Sequence, residues 1–174
     1  MQGWLRFILF SVVFAALFVA GALSMQSVRA EKIWNWRYTG GNIAASGTIT
    51  TSETMDSEGF YQISSITGHR NGEPIARLYP SGSAIPGNEP YVLDNLIRIG
   101  RSGQITMYGL GFSTASGNHV NLFFADFLAT PVTMEVFTTS STYREVPVTF
   151  LATPVSEPEI NVESSAGQSG NKDE

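Results

Sequence analysis

The sequence predicts an all-β domain, folded as an antiparallel up-and-down barrel or a two-sheet sandwich of about eight or nine strands. Three observations carry this expectation. From Lys32 to Ala152 apolar and polar residues alternate in short segments, and no window sustains a 3.6-residue apolar period beyond about ten residues. The connections are built from Gly, Asn, Ser and Pro, the residues that turn a chain tightly. Sequential strands joined by short loops pair antiparallel with their neighbours. The barrel is preferred because closure removes strand edges, and this chain has only two lysines to guard them.

The elements follow in order. Ile33–Tyr38 alternates and puts Trp34, Trp36 and Tyr38 on one face, and Gly40-Gly41-Asn42 turns it into the Thr-rich strand Ala44–Thr51. Phe60–Thr67 is the next strand, followed by the turn Gly68-His69-Arg70-Asn71-Gly72 and the return strand Glu73–Tyr79. Asn-Gly is a strong hairpin signal because both residues tolerate the positive φ of a type I′ turn. Pro80–Pro90 reads as a loop, and Tyr91–Ile99, Gln104–Phe112, His119–Asp126, Val132–Thr138 and Val146–Leu151 as the remaining strands. Phe-Leu-Ala-Thr-Pro-Val occurs at both 127–132 and 150–155, which reads as two similar strand exits halted by proline.

The flanks differ from this middle. Residues 1–30 have the order of a secretory signal peptide: a basic start with Arg6, the apolar run Phe7–Leu23, and a small-residue site ending at Val28-Arg29-Ala30. Cleavage after Ala30 is expected, with an uncleaved membrane anchor as the alternative. Residues 31–153 form the single β-domain. Residues 154–174, lacking aromatics and rich in Ser, Glu, Gly and Asn, read as a disordered acidic tail.

Composition narrows the function classes. The absence of cysteine excludes disulfide scaffolds, thiolate metal sites, thiol catalysis and cysteine lipidation. Ten basic against fifteen acidic residues give a formal charge of −5, which argues against a nucleic-acid partner. Loss of Arg6 and Arg29 with a signal peptide makes the remainder more acidic still.

Several segments resemble a group of exported bacterial proteins. They are Trp-x-Trp-x-Tyr-x-Gly at 34–40, Ala-Ser-Gly-Thr-x-Thr-Thr at 45–51, Gly-Phe-Tyr-Gln-Ile at 59–63 and Gly-His-Arg-Asn-Gly at 68–72. Ile-Pro-Gly-Asn-Glu-Pro-Tyr at 85–91 and Asp94-Asn95-Leu96 belong with them. Together they are similar to secreted proteins of the PEP-CTERM (exosortase-type) sorted group, over nearly all of residues 34–157. The resemblance implies work at the cell surface or in the extracellular polysaccharide matrix, and it carries over no catalytic residue. Pro154-Val155-Ser156-Glu157-Pro158 resembles the start of the sorting signal, but the apolar helix and basic cluster typical of it do not follow. A released product is therefore expected.

Candidate chemistry is sparse. His69 and His119 are the only histidines, and both are expected in solvated turns. Asp94 and Asp126 offer a carboxylate pair, although strand-end Asp residues more often close Asx turns. Glu53, Asp56 and Glu58 crowd one loop and offer a weak calcium site, against the plainer reading of a solvated hairpin tip. Gly109-Leu110-Gly111 lacks the third glycine of a nucleotide-binding fingerprint. Trp34, Trp36, Tyr91 and Asp94 are the binding candidates, since aromatic faces stack on sugar rings. The competing reading of Trp34 and Trp36 is core packing, where each ring buries about 150–250 Å².

The expected function is that of an exported, non-catalytic β-domain of the cell envelope or matrix, with extracellular polysaccharide or envelope components as partners and no cofactor. A membrane enters only if the signal segment stays uncleaved. The alternatives are a barrel enclosing a small apolar ligand and, third, a secreted hydrolase that gathers His69, His119, Asp94 or Asp126 in one cleft.

Overall fold

A computed structural model describes residues 31–100 and 102–155. Residues 1–30, expected to be a signal peptide, and residues 156–174 of the expected tail lie outside the described residues. Nine strands run in order: β1 (Glu31–Gly40), β2 (Ile43–Met55), β3 (Tyr61–Arg70), β4 (Glu73–Leu78), β5 (Leu96–Ile97), β6 (Leu110–Thr114), β7 (His119–Ala125), β8 (Val132–Thr138) and β9 (Tyr143–Pro154). The spatial order is β2-β1-β9-β8-β7-β6-β4-β3-β5, and β2 also pairs with β3, so eight strands close into an antiparallel ring with β5 as an extra strand. Each strand of the ring lies beside its sequence neighbour, and β9 returns to β1 through pairs running from Trp34↔Pro154 to Thr39↔Thr149. The architecture is the up-and-down barrel, not the sandwich.

Alternation explains the core. Trp34, Trp36 and Tyr38 of β1 point inward and meet Ile49 of β2, Leu110 and Phe112 of β6, Val120 and Leu122 of β7, and Val148 and Phe150 of β9. Trp36 stacks on Tyr38 with centroids 5.9 Å apart, and Trp34 meets the edge of Tyr61 at 5.5 Å. An eight-stranded barrel is just wide enough to be filled by its own side chains. A small apolar ligand held inside would need space where these bulky residues sit.

Two polar devices close the barrel. Inside it, Glu135 of β8 accepts hydrogen bonds from Arg70 Nε (2.9 Å), Arg70 Nη2 (2.6 Å) and the Tyr38 hydroxyl (2.6 Å). The second device stands where β9 outruns β8, whose pairing register ends at Thr133↔Val148. There the buried Gln104 side chain takes the place of a neighbouring strand. Its Nε2 donates to the Ala152 carbonyl (2.7 Å) and its Oε1 accepts from the Ala152 N–H (2.8 Å).

The connection from β4 to β6 departs furthest from expectation. Tyr91–Ile99 shrinks to the two-residue β5, and Gln104–Phe112 to a strand starting at Leu110. The cause is backbone geometry: Asn95 sits at φ 54° and Gly109 at φ 70°, left-handed conformations that break an extended run. Residues 79–95 instead form a compact Ω-shaped excursion. Gly82 N–H bonds to the Leu93 carbonyl, Leu93 N–H to that of Ser83, and Asn95 Nδ2 ties the start by donating to Tyr79 O at 2.7 Å. The excursion lies on the outside of the barrel, where Tyr79, Ile85 and Leu93 form a second apolar cluster with Val136 of β8. Gly111 makes that docking possible. A Cβ there would stand 2.4 Å from Leu93 Cδ1 and 2.9 Å from Ile85 Cγ2, so only a residue without a side chain lets the segment approach.

The hairpin β3–β4 turns on Asn71 (φ 50°) and Gly72 (φ 81°), as the Asn-Gly pair foretells. The turn is only these two residues. His69 and Arg70, expected in the turn, belong to β3, which is why Arg70 can reach into the barrel.

Candidate functional site

The excursion 79–95 does not cover the outer face of the barrel completely. Beside it, over β7, β8 and β9, lies a cavity of about 280 Å³. Its floor is a row of register partners across three strands: Asn121 of β7 opposes Val136 of β8, and Val136 opposes Glu145 of β9. Phe123 and Tyr143 continue the floor two residues along β7 and β9, the same-face spacing of a strand. Asn88 and Tyr91 of the excursion, with Met107 and Phe127 from neighbouring loops, make the walls.

Three aromatic rings at this cavity are open to water: Tyr91 is 67% exposed, Phe127 66% and Tyr143 54%. Large rings are usually covered, so their gathering at one concavity singles it out as the candidate site. The polar groups are few and placed. Asn121 is 3% exposed, and its Oδ1 has no hydrogen-bond partner among the described residues. Buried acceptors are normally satisfied, and this one is both unpaired and sealed from solvent. At the other end of the row the Tyr143 hydroxyl donates to Glu145 Oε2 at 3.0 Å. Partial burial, then the bond to Glu145 and its negative charge, push the Tyr143 phenol up to about 12. It is therefore a neutral donor throughout the physiological range.

No protein-family model, curated protein or solved structure matches the chain.

The residues singled out from sequence fall in different places. Tyr91 lines the cavity. Trp34 and Trp36, at 0% and 2% exposure, are core residues that present no ring to solvent. The Trp34 indole N–H is used internally, donating to Thr51 Oγ1 at 3.0 Å. Asp94 closes the excursion: its Oδ2 accepts from Thr106 Oγ1 (2.6 Å) and its Oδ1 from the Leu96 N–H (3.2 Å). Burial raises its carboxyl above the ordinary value and outweighs those bonds. Glu53, Asp56 and Glu58 do not assemble a cation cage. Asp56 Oδ1 accepts from the N–H groups of Glu58 and Phe60, an Asx turn, and no group of three acidic or histidine side chains fit to hold a metal occurs among the described residues.

The two histidines lie in strands, not turns. His69 is an exposed residue of β3. His119 opens β7 with its Nδ1 2.6 Å from the Tyr79 hydroxyl. Burial and the nearby Arg77 charge hold its imidazole below the ordinary value, against an opposing pull from Glu89. No hydrogen bond or ion pair joins any two of His69, His119, Asp94 and Asp126 among the described residues. Sequence reading missed Asn121, Phe123, Phe127, Tyr143 and Glu145. Asn121 and Phe123 lay on the outward phase of the strand drawn at His119–Asp126, whereas Phe127, Tyr143 and Glu145 fell outside the drawn strands, because β9 begins at Tyr143 and not at Val146.

Proposed function

We propose that this chain is an exported, non-catalytic β-barrel of the cell envelope or extracellular matrix that binds polysaccharide in the outer cavity beside the 79–95 excursion. The observation that carries the reading is the gathering of the exposed rings of Tyr91, Phe127 and Tyr143 at one cavity together with the polar side chains of Asn121 and Glu145. A sugar ring has apolar C–H faces and a hydroxyl edge, so it needs both parts. The cavity volume lies just below the ~300–1,000 Å³ usual for small-molecule sites, which suits a single sugar unit at a time. The signal-like residues 1–30 and the likeness to secreted proteins of the PEP-CTERM group support the location.

Two measurements test the reading. Titration of the full chain, recovered from an exporting host, with soluble oligosaccharides is expected to show saturable binding. Tyr91→Ala and Tyr143→Ala should each weaken it roughly two- to tenfold while leaving the circular dichroism spectrum unchanged. A folded protein that binds none of them overturns the assignment. An intact mass of the same material should correspond to residues 31–174. Retention of residues 1–30 would instead make the protein membrane-anchored.

A further inference from the structure

We infer that the barrel rests on a lipid bilayer with one half of one rim, the half made by the start of β1, the end of β9, residues 104–108 and the β7–β8 loop. The inference does not depend on what the outer cavity binds. It is carried by a difference between the two ends of the ring. Neighbouring strands run in opposite directions, so alternate connections share an end. The turns β1–β2, β3–β4, β6–β7 and β8–β9 make one end, and residues 41–42, 71–72, 115–118 and 139–142 are only Gly, Asn, Ala, Ser and Thr. The opposite end carries the exposed side chains of Ile99, Met107, Tyr108, Phe127 and Leu128. Ile33 and Val155, also exposed, join them where the two flanks leave.

These positions follow one another around the rim. Val155 N–H bonds to the Ile33 carbonyl, Gln104 holds Ala152 of β9, and the Thr106 carbonyl accepts from Phe124 N–H of β7 at 2.8 Å. Met107 and Phe127 then stand together, lining the outer cavity. An exposed apolar stretch of this kind marks an interaction surface.

The course of the chain points to a membrane as the partner. Residues 1–30, the expected signal peptide, join the barrel at this half-rim, and their apolar run Phe7–Leu23 ends seven residues before Glu31, with only 24–30 between. A run held in a bilayer would keep the half-rim within about 25 Å of its surface, the reach of that spacer fully extended, while the polar turns lie at the far end. The side chains suit the same partner: aliphatic groups for the acyl boundary, and a tyrosine whose hydroxyl fits the headgroup level. They remain exposed once residues 1–30 are removed.

Charge makes the contact an apolar one. Glu53, Asp56 and Glu58 gather at the β2–β3 tip, across the ring from the β7–β8 loop, and Asp126 stands beside Phe127. Among the described residues, the basic side chains at this end are folded back on the barrel. Lys32 Nζ lies 4.5 Å from the Tyr61 ring centre and the Arg98 guanidinium 4.7 Å from that of Phe60. Anionic headgroups therefore meet acidic side chains and find no free cation among the described residues, so attraction to them does not drive the docking.

The test uses the full chain from an exporting host with vesicles of phosphatidylcholine, alone or mixed with phosphatidylglycerol. The chain has no cysteine, so single cysteines at exposed small residues can carry an environment-sensitive dye. Dye at Ser102→Cys and Ala129→Cys, on the half-rim, is expected to brighten about twofold or more with phosphatidylcholine vesicles. Dye at Ser57→Cys on the acidic tip and at Ser140→Cys on the far turn should stay unchanged. The response should survive high salt and should not grow with phosphatidylglycerol. Ile99→Ser combined with Leu128→Ser should abolish the response at Ala129→Cys and leave the urea unfolding midpoint unaltered, with Met107 and Phe127 of the outer cavity kept in place. No response at any site, an equal response at all four, or a response that needs phosphatidylglycerol overturns the inference and leaves the polysaccharide reading standing. So does an Ala129→Cys response that outlasts the double substitution. Each dye reports its own site, so the contrast decides the point also on material that retains residues 1–30.

Discussion

Arg70 and Glu135, 65 residues apart in sequence, form a two-pronged ion pair inside the barrel, with Nε on Oε2 at 2.9 Å and Nη2 on Oε1 at 2.6 Å. Glu135 is fully buried and Arg70 is 6% exposed. The third bond from Tyr38 and the Phe137 ring 4.3 Å below the guanidinium complete the enclosure. A pair of this kind joins β3 to β8 across the lumen.

Breaking the pair from one side leaves the other charge stranded. Glu135→Ala or Arg70→Ala is expected to cost about 3–5 kcal/mol, whereas Arg70→Met combined with Glu135→Leu should recover most of the loss. Urea unfolding of the three variants measures this. A double variant no more stable than the single ones would show that the ion pair is worth more than apolar packing.

Tyr38 links the same cluster to alkaline pH. Burial, followed by the charge and hydrogen bond of Glu135, raises its phenol well above the ordinary 10.0. In the unfolded chain the phenol ionises near that ordinary value, so between there and the raised folded value the native state holds a proton the unfolded state has lost. Its stabilisation is complete below about pH 10 and disappears as pH rises toward the folded value. Denaturation midpoints measured from pH 8 to 11 should fall steeply for the natural chain and less steeply for Tyr38→Phe.

Gly111→Val should lift the 79–95 excursion from the barrel. The added carbons overlap Leu93 and Ile85, and overpacking of this kind costs about 1–3 kcal/mol. Hydrogen exchange should quicken at Leu93 and Asn95 while β1 and β9 remain protected. Uniform acceleration across the barrel would mean that the excursion and the ring unfold as one unit.

Gln104→Ala deletes the stand-in strand at Ala152 and leaves a buried N–H and carbonyl unpaired. Thermal and urea unfolding should register a loss of about 1–3 kcal/mol. An unchanged midpoint would mean that water replaces the amide at that edge.

The ring of strands was legible because period-two alternation and turn chemistry are local. Trp34, Trp36 and Tyr38 share a face by counting, and Asn71-Gly72 turns where its own backbone preferences demand. What escaped depends on residues distant in the chain. Nothing near Arg70 or Glu135 announces that they meet, and Arg70 next to Asn-Gly looks like part of a turn. The cavity draws on positions from Asn88 to Glu145, so its composition exists only after β7, β8 and β9 lie side by side. Trp34 and Tyr91 carry similar chemistry, and only the closure of the barrel decides which ring faces water. The strands Tyr91–Ile99 and Gln104–Phe112 were drawn too long because left-handed conformations at Asn95 and Gly109 depend on docking against the barrel.

The pairing of β1 with β9 has a mechanical consequence. Trp34 and Pro154 face each other at one rim, and Val155 N–H still bonds to the Ile33 carbonyl there at 2.8 Å. Tension applied through the two flanks would peel these strands apart like a zipper, loading one hydrogen-bonded pair at a time instead of shearing all of them together. Threads attached at both flanks would therefore open the barrel at its seam under modest force, whereas a load borne by the outer cavity would press on β7, β8 and β9 and leave the seam slack.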